Sequence, residues 1–336
     1  MTLVVHAPNV HHGGGRALLL ALLSALREPA VVQLDERLAP LPELDPGVRV
    51  IRVTPSLVGR LQAELRLQLL CRRGDVLLCF GNLPPLFQNS ARAFVYLQNC
   101  YLTSAHRSSD LPWSARIRIS IERLWLRHRL CNATLLVQTE TMLQEVRESF
   151  GWEASVFPFL PRKVQPSAEQ PPVLFDYLYV ASGEPHKNHR RLLKAWVLLA
   201  KRGFRPSLCL TLDIQHDAAL WAWVERLVRQ HGLRVTNNPV PTSQIFGLYA
   251  QCSALIYPSL FESFGLPLLE ARQAGMSIVA AERDYVRDVV APVVSFEPES
   301  ELSIARAVIR HQTGAVIEPA LPVDPASFLE HLSALV

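Results

Sequence analysis

Short apolar runs alternate with stretches whose apolar residues return every three to four positions, and this alternation organises the whole chain. Leu3-Val4-Val5 reads as a strand, followed by the loop Pro8 to Arg16 with its Gly13-Gly14-Gly15 run and a helix to about Leu26. Further apolar runs fall at Val31-Val32, Val48 to Val53, Val76 to Phe80, Ala93 to Leu97 and Thr134 to Val137. Helical patterns separate several of them, at Leu57 to Cys71, Trp113 to Leu130 and Thr139 to Phe150. Strands interleaved with helices predict a mostly parallel, doubly wound sheet.

The proline-rich segment Pro158 to Pro172 continues neither kind of element and reads as an interdomain linker. The alternation then restarts. Strands are expected at Leu174 to Val180, Leu208 to Leu212, Ala254 to Tyr257, Ser277 to Ala281 and Val293 to Ser295, with another apolar run at Tyr285 to Val290. Helices are expected at Asn188 to Lys201, Ala218 to His231, Ile245 to Ser253, Leu266 to Ala274 and Glu299 to His311. The expected architecture is α/β, two Rossmann-like domains over residues 1–165 and 166–336 facing a central cleft. At 336 residues, two domains of about 150 are more natural than one.

The densest chemistry lies in Pro258-Ser259-Leu260-Phe261-Glu262-Ser263-Phe264-Gly265-Leu266-Pro267-Leu268-Leu269-Glu270-Ala271. It follows an apolar strand pattern and opens a helical one that stops at Gly275, so a fresh helix N-terminus sits between two carboxylates at i and i+8. Free N–H groups and a partial positive charge suit a diphosphate there. Pro267 fits the first helical position and Glu270 the first turn. The block resembles the acidic signature of retaining GT-B glycosyltransferases of family 4, the "group 1" glycosyltransferases. The resemblance covers nearly all of the second half specifically and the first half in outline. It implies that Glu262 approaches the donor sugar, that Glu270 binds the nucleotide ribose, and that Phe264, Gly265 and Leu266 lie at the donor.

Val180 to His189 joins the first strand and helix of the second half and looks like the family's donor-phosphate loop. Lys187 is then the cation for the diphosphate, conspicuous in a chain with four lysines. Two positions depart from the family pattern. An Arg usually stands five residues before that Lys, where this chain has Ser182, still placed at the donor; Arg190, Arg191 or Arg16 would have to supply the missing charge. A His usually follows the strand at Ala93 to Leu97, where this chain has Gln98 and Asn99. Both can hydrogen-bond sugar hydroxyls, and neither is a base near neutral pH.

Gly13-Gly14-Gly15 lacks dinucleotide-binding spacing. It still permits close backbone approach to a ligand, and the resemblance puts Gly14 and Gly15 at the donor phosphate and His12 at the acceptor. His11-His12 without a carboxylate partner does not read as a metal site, and no Asp-x-Asp occurs. No metal and no resident cofactor are expected. Trp113 to Leu130 places Trp113, Ile117, Ile121, Leu124 and Trp125 on one side and most of its arginines elsewhere. It reads either as a sheet-covering helix or as a basic amphipathic helix on an anionic bilayer.

Composition excludes other classes. No apolar run approaches the ~18 residues of a membrane span, and no basic region precedes the first apolar residues as in a signal peptide. Six scattered cysteines without Cys-x-x-Cys pairs read as reduced thiols of a cytoplasmic protein, with the inner face of the plasma membrane as the alternative location. The sequon Asn132-Ala133-Thr134 opens a strand pattern and reads as chance. Residues 1–165 carry 19 Lys+Arg against 13 Asp+Glu, and residues 166–336 carry 15 against 17. The basic first half suits an anionic surface or acceptor, and no motif supports nucleic acid.

Together these features imply metal-independent, retaining transfer of a sugar from a nucleoside-diphosphate sugar to a saccharide hydroxyl, by family usage a lipid-linked one in a bacterial cell-surface polysaccharide pathway such as that of lipopolysaccharide. Two alternatives stay open: a non-catalytic nucleotide-sugar-binding member of the family, and a sugar-nucleotide epimerase, for which no acid/base pair can be placed.

Overall fold

The computed structural model describes residues 2–103, 111–130, 133–160, 172–241 and 244–314. Its strands form two sheets, both entirely parallel. The first runs in the order β3 (Val48–Val53), β2 (Ala30–Asp35), β1 (Leu3–Ala7), β4 (Val76–Cys79), β5 (Arg92–Tyr96), β6 (Ala133–Val137), β7 (Ala154–Val156). The second runs β10 (Val235–Asn237), β9 (Leu208–Leu210), β8 (Phe175–Tyr179), β11 (Cys252–Tyr257), β12 (Ser277–Ala281), β13 (Val294–Phe296). Strand order reverses between β1 and β4 in one sheet and between β8 and β11 in the other. Crevices beyond the strand C-termini at such reversals are where open α/β sheets bind ligands.

The helices follow as the periodicity predicts: α1 (Gly13–Ala25), α2 (Leu57–Leu70), α3 (Trp113–Arg129), α4 (Glu140–Phe150), α5 (His189–Lys201), α6 (Ile214–His231), α7 (Ile245–Ala250), α8 (Leu266–Gln273), α9 (Asp284–Arg287) and α10 (Glu301–Thr313). Local chemistry sets their ends. Ser56, Thr139, Asp213 and Ser300 each accept a backbone N–H at a helix start, and Gly151, Gly232 and Gly314 close helices in the left-handed conformation. The central strands β1, β2, β9, β11 and β12 are buried over most of their length, and Trp196 of α5 is 1% exposed with its indole N–H donating to Pro206 O at 3.0 Å. Truncating such a side chain to Ala costs about 3–5 kcal/mol.

The structure departs from the pattern in four places. β7 and β10 are three-residue edge strands too short to carry a period. The helix expected to Ser253 ends at Ala250, because Cys252 already pairs with Phe175 of β8 as the start of β11. α6 begins four residues early on its Asp213 cap, and the run Tyr285 to Val290 is the short helix α9. The boundary between 165 and 166, most of the proline-rich linker, and Asn132 of the sequon lie outside the described residues. The five described cysteines are buried free thiols.

α3 also corrects an expectation. It turns Ile119 and Leu126 inward and leaves Trp113, Ile117, Ile121 and Leu124 50–75% exposed, so its apolar stripe does not cover the sheet. Trp125 is half-buried instead, with the Arg60 guanidinium of α2 over its ring at 5.6 Å.

Candidate active site in the interdomain cleft

At the switch point of the second sheet, the loops after β8 and β11 are tied into one unit. The chain leaves β8 through a single 3₁₀ turn, Pro185–Lys187, and Asn188 follows at φ +62°. Asn tolerates this left-handed geometry better than most side chains. Its buried amide donates to Pro258 O at 3.1 Å and Pro298 O at 2.7 Å. Leu260 N donates to His186 O at 2.8 Å, and Tyr179 Oη donates to Lys187 O at 2.6 Å.

These bonds deliver Lys187 Nζ onto Glu262, 2.7 Å from Oε1 and 2.8 Å from Oε2. Tyr257 Oη donates a further bond to Oε1 at 2.9 Å. Glu262 is only 8% exposed. Burial opposes its charge, but the Lys187 ammonium, with His186 behind it, outweighs burial and holds the carboxyl below the usual carboxylate range. Burial likewise pulls Lys187 down, and Glu262 more than restores it. Both side chains are therefore charged.

The second carboxylate is different. Gly265 starts α8 at φ +68°, where a side chain would be strained and a Cβ would lie 3.0 Å from Leu268 Cδ1. Leu266 is the first helical residue and Pro267 the second, one position later than expected. Glu270 is consequently the fifth and lies past the first turn, which holds no acidic residue. It accepts a hydrogen bond from Tyr249 Oη at 2.8 Å, and burial pushes its carboxyl above the usual range. Phe264 is 5% exposed and belongs to the core beneath the loop.

The first domain brings its own strand ends to this unit. The glycine run expected in a loop is the first turn of α1, and a Cβ on Gly14 would lie 3.2 Å from Leu266 Cδ1, so this turn touches the start of α8 across the cleft. A Cβ on Gly15 would lie 3.4 Å from Gln98 Oε1. Gln98 Nε2 donates to Phe80 O at 3.0 Å, while its Oε1 is buried without a hydrogen-bond partner among the described residues. Asn82, at φ +71°, accepts both Gln98 N and Asn99 N, at 2.6 and 3.0 Å. Asn99 Oδ1 accepts Tyr101 N at 3.0 Å, so this side chain shapes the turn after β5. His12 is exposed at the entrance to α1.

Tyr101 links the domains directly. Its Oη lies 3.0 Å from His186 Nδ1, and its ring meets Phe261 edge-on at 5.4 Å, with His186 stacked on Phe261 at 4.7 Å. Thr139 Oγ1 donates to Ser263 O at 3.3 Å, and Thr141 N donates to Asp288 Oδ2 at 2.8 Å. Sequence patterns missed Tyr101, Asn82 and Tyr249, whose partners are distant in the chain, and Tyr257, whose partner Glu262 is five residues on across the loop after β11. Asn188 had a signal, a polar residue with left-handed tolerance just before a helix.

At Ser182 the hydroxyl donates to the Glu184 carboxylate, and Gly183 N donates to Asp217 Oδ2 at 3.0 Å. Two cations considered as substitutes for the family's Arg are engaged elsewhere: Arg190 lies over Trp223 at 4.9 Å, and Arg16 donates to Ala39 O at 3.1 Å. Among the described residues, no group of three His, Cys, Asp or Glu side chains is placed to hold a metal ion.

Two doubly wound domains facing one another across this cleft make the chain a GT-B protein. Residues 162–315 match the family described as glycosyl transferases group 1. The O-antigen chain mannosyltransferase B of Escherichia coli is 35% identical over 142 residues, 39% of this chain and 36% of that protein. The match thus spans about a third of the length of that relative. Among solved structures, the sucrose-phosphate synthase of Thermosynechococcus elongatus superposes with a TM-score of 0.68 at 16% identity, covering 93% of this chain and 90% of the other. Anabaena HepE in complex with UDP gives 0.66 at 14% identity, with 93% and 90% covered.

Proposed function

We propose that this protein transfers a sugar from a nucleoside diphosphate to a saccharide hydroxyl, with retention of anomeric configuration and without a metal. One observation carries the reading: a largely buried Lys187–Glu262 pair stands at the switch point of a group 1 glycosyltransferase domain, beside the start of α8 and opposite the glycine-rich first turn of α1. The donor diphosphate lies between the backbone N–H groups of Gly14, Gly15 and Leu266, and Lys187 neutralises the leaving group. Preorganised charge of this kind is commonly the largest catalytic term, with single-donor losses of about 10²–10³ in rate. Glu262 receives the sugar hydroxyls and Glu270 the ribose, because carboxylates are acceptors only. Gln98, through its unpartnered Oε1, is the polar contact on the acceptor side.

Mannose is the first sugar to test, since the 35% identical relative is a mannosyltransferase of O-antigen chains. The acceptor is lipid-linked and met at an anionic bilayer. Most of the exposed large apolar side chains among the described residues sit on two adjacent helices, including Leu57, Leu61, Leu65 and Leu69 of α2 and Trp113, Ile117, Ile121 and Leu124 of α3. Arg116, Arg118, Arg127 and Arg129 are exposed beside them. An apolar stripe flanked by arginines is complementary to anionic headgroups over acyl chains. Among the described residues no helix is long and apolar enough to cross the membrane.

The test is thermal unfolding with UDP, GDP, dTDP, ADP and CMP, with and without EDTA, followed by turnover of the matching mannose and glucose donors. A ligand at 100 times its Kd adds about 2.7 kcal/mol of stability. Stabilisation by one diphosphate in EDTA, then donor consumption with an acceptor, is the expected result. Binding without turnover of any donor would favour a non-catalytic member of the family, and no binding at all would defeat the site.

A further inference from the structure

β1 and β2 end side by side, and the residues just beyond them form a polar chain that the roles above leave unused. Asp35, the last residue of β2, is fully buried. Arg37 holds it with two guanidinium bonds, 2.9 Å to Oδ1 and 2.7 Å to Oδ2, and with its backbone N–H at 2.9 Å. Those bonds keep the Asp35 carboxyl below its ordinary range against the cost of burial. His11 Nδ1 is buried, and Asp35 Oδ2 lies 3.5 Å from it. That is longer than a formed hydrogen bond, as apo catalytic contacts often are. The other ring nitrogen of His11, Nε2, lies 3.1 Å from His12 Nδ1, with the rings edge-on at 4.5 Å.

This order favours one arrangement of the protons. A carboxylate beside His11 Nδ1 keeps the proton on that nitrogen, so His11 Nε2 is an acceptor. His12 must then donate from Nδ1, which leaves its Nε2 with a free lone pair. His12 stands at the entrance to α1, two residues from Gly14, whose Cβ position lies 3.2 Å from Leu266 of the other domain. It also feels the charge of Glu184 across the cleft. The lone pair is therefore carried at the cleft, beside the segments that bring Gly14, Leu266 and Glu184 together.

From this geometry we propose that His12 Nε2 accepts the proton of the attacking acceptor hydroxyl, with His11 and Asp35 as the residues that position it. The inference rests on the transferase reading above. The acceptor oxygen forms its bond to the anomeric carbon on the face from which the diphosphate departs, as the bond from that carbon to the diphosphate breaks, so configuration is retained. The electron pair of the broken bond stays on the diphosphate, and the hydroxyl proton moves to His12 Nε2. Gln98 has no basic nitrogen to do this. Burial first, then His11, Arg37 and Arg118, hold His12 below its ordinary value, with Glu184 opposing them, so the ring is neutral at pH 7. A general base of this kind contributes about 10²–10⁴ in rate.

The experiment uses the full chain, its nucleotide-sugar donor and a saccharide acceptor. Wild-type kcat should fall on the acid side with an apparent pKa below 6.5, the ordinary imidazole value. His12→Gln should lower kcat by about 10²-fold or more and abolish that limb, while the nucleotide-induced thermal shift stays unchanged. Asp35→Asn should lower kcat less and move the limb to lower pH, because the charge that supports the imidazole proton is gone. If that variant unfolds, His11→Gln reads the same dependence. Wild-type kcat with an unchanged acid limb in His12→Gln overturns the inference alone. A wild type that binds nucleotide and transfers nothing overturns the transferase reading and this inference together.

Discussion

Lys187 Nζ sits 2.7 and 2.8 Å from the two carboxylate oxygens of Glu262, a residue 75 positions further along the chain. The pair is buried and hydrogen-bonded, so each charge exists because the other is present. It also joins the loop after β8 to the loop after β11, the two segments that meet at the switch point of the second sheet.

Removing one partner leaves an uncompensated buried charge, which costs about 3–5 kcal/mol. Lys187→Met and Glu262→Gln should each lower the unfolding free energy by that order. The double variant should recover much of the loss, because no buried charge remains. Activity behaves differently: all three variants should lose at least about 10² in rate. Urea unfolding and initial rates separate the two effects. Strictly additive destabilisation would show that the pair is not coupled, and normal turnover in either single variant would remove the site from the mechanism.

Glu270 gives a pH-dependent prediction of opposite sign to that of Glu262. Its carboxyl is raised by burial, so its favourable contribution is complete below the unfolded value of 4.5 and is lost as pH rises through the folded value. Glu262 is lowered, so its contribution is present above 4.5 and is lost as pH falls through its folded value. Glu270→Gln should therefore raise the ligand-free Tm at pH 7 and change it little at pH 4. The same substitution should weaken nucleotide binding about tenfold, through loss of a charge-assisted bond. A variant that binds nucleotide normally would remove the ribose role.

Tyr101 ties the first domain to the second through His186, the neighbour of Lys187, and its own carbonyl accepts Arg123 Nη2 at 2.6 Å. Arg123 therefore holds the cleft turn and is not part of the outer basic face of α3, although the sequence groups it with those arginines. Tyr101→Phe should keep the ring contacts with Phe261 and reduce kcat about tenfold. Tyr101→Ala should approach 10²-fold, because small displacements of reacting groups carry losses of that size. Donor titration with each variant checks this. Losses confined to donor affinity, with kcat intact, would contradict a role in domain alignment.

The sheet pattern was legible because strands buried on both faces and amphipathic helices leave strong local periods. Glu262, Lys187 and Gly265 were legible for a related reason: a strand end, a left-handed glycine and a helix start impose residue choices within a few positions. Tyr249 and Asn82 were not, since each acts through a hydroxyl or amide whose partner is brought near only by the fold, and Tyr257 read only as the buried end of a strand. The direction faced by α3 was also hidden. Periodicity shows that Trp113, Ile117, Ile121 and Leu124 share a side, but not whether that side meets protein or solvent.

That side provides the last prediction. Because the stripe is exposed and the exposed arginines flank it, binding to a bilayer should need both features. Ile117→Asn with Ile121→Asn should remove most co-sedimentation with vesicles containing anionic lipid. Arg116→Glu, Arg118→Glu and Arg127→Glu together should do so chiefly at low salt, where each basic residue contributes about 1 kcal/mol. Arg123 is left intact, so the cleft turn and turnover of a water-soluble acceptor should be unaffected. Loss of activity on a lipid-linked acceptor alone would tie the surface to acceptor capture. Equal binding to neutral vesicles, or a monomer–dimer equilibrium that the Ile variants abolish, would assign the face to an uncharged surface or to a second copy of the chain.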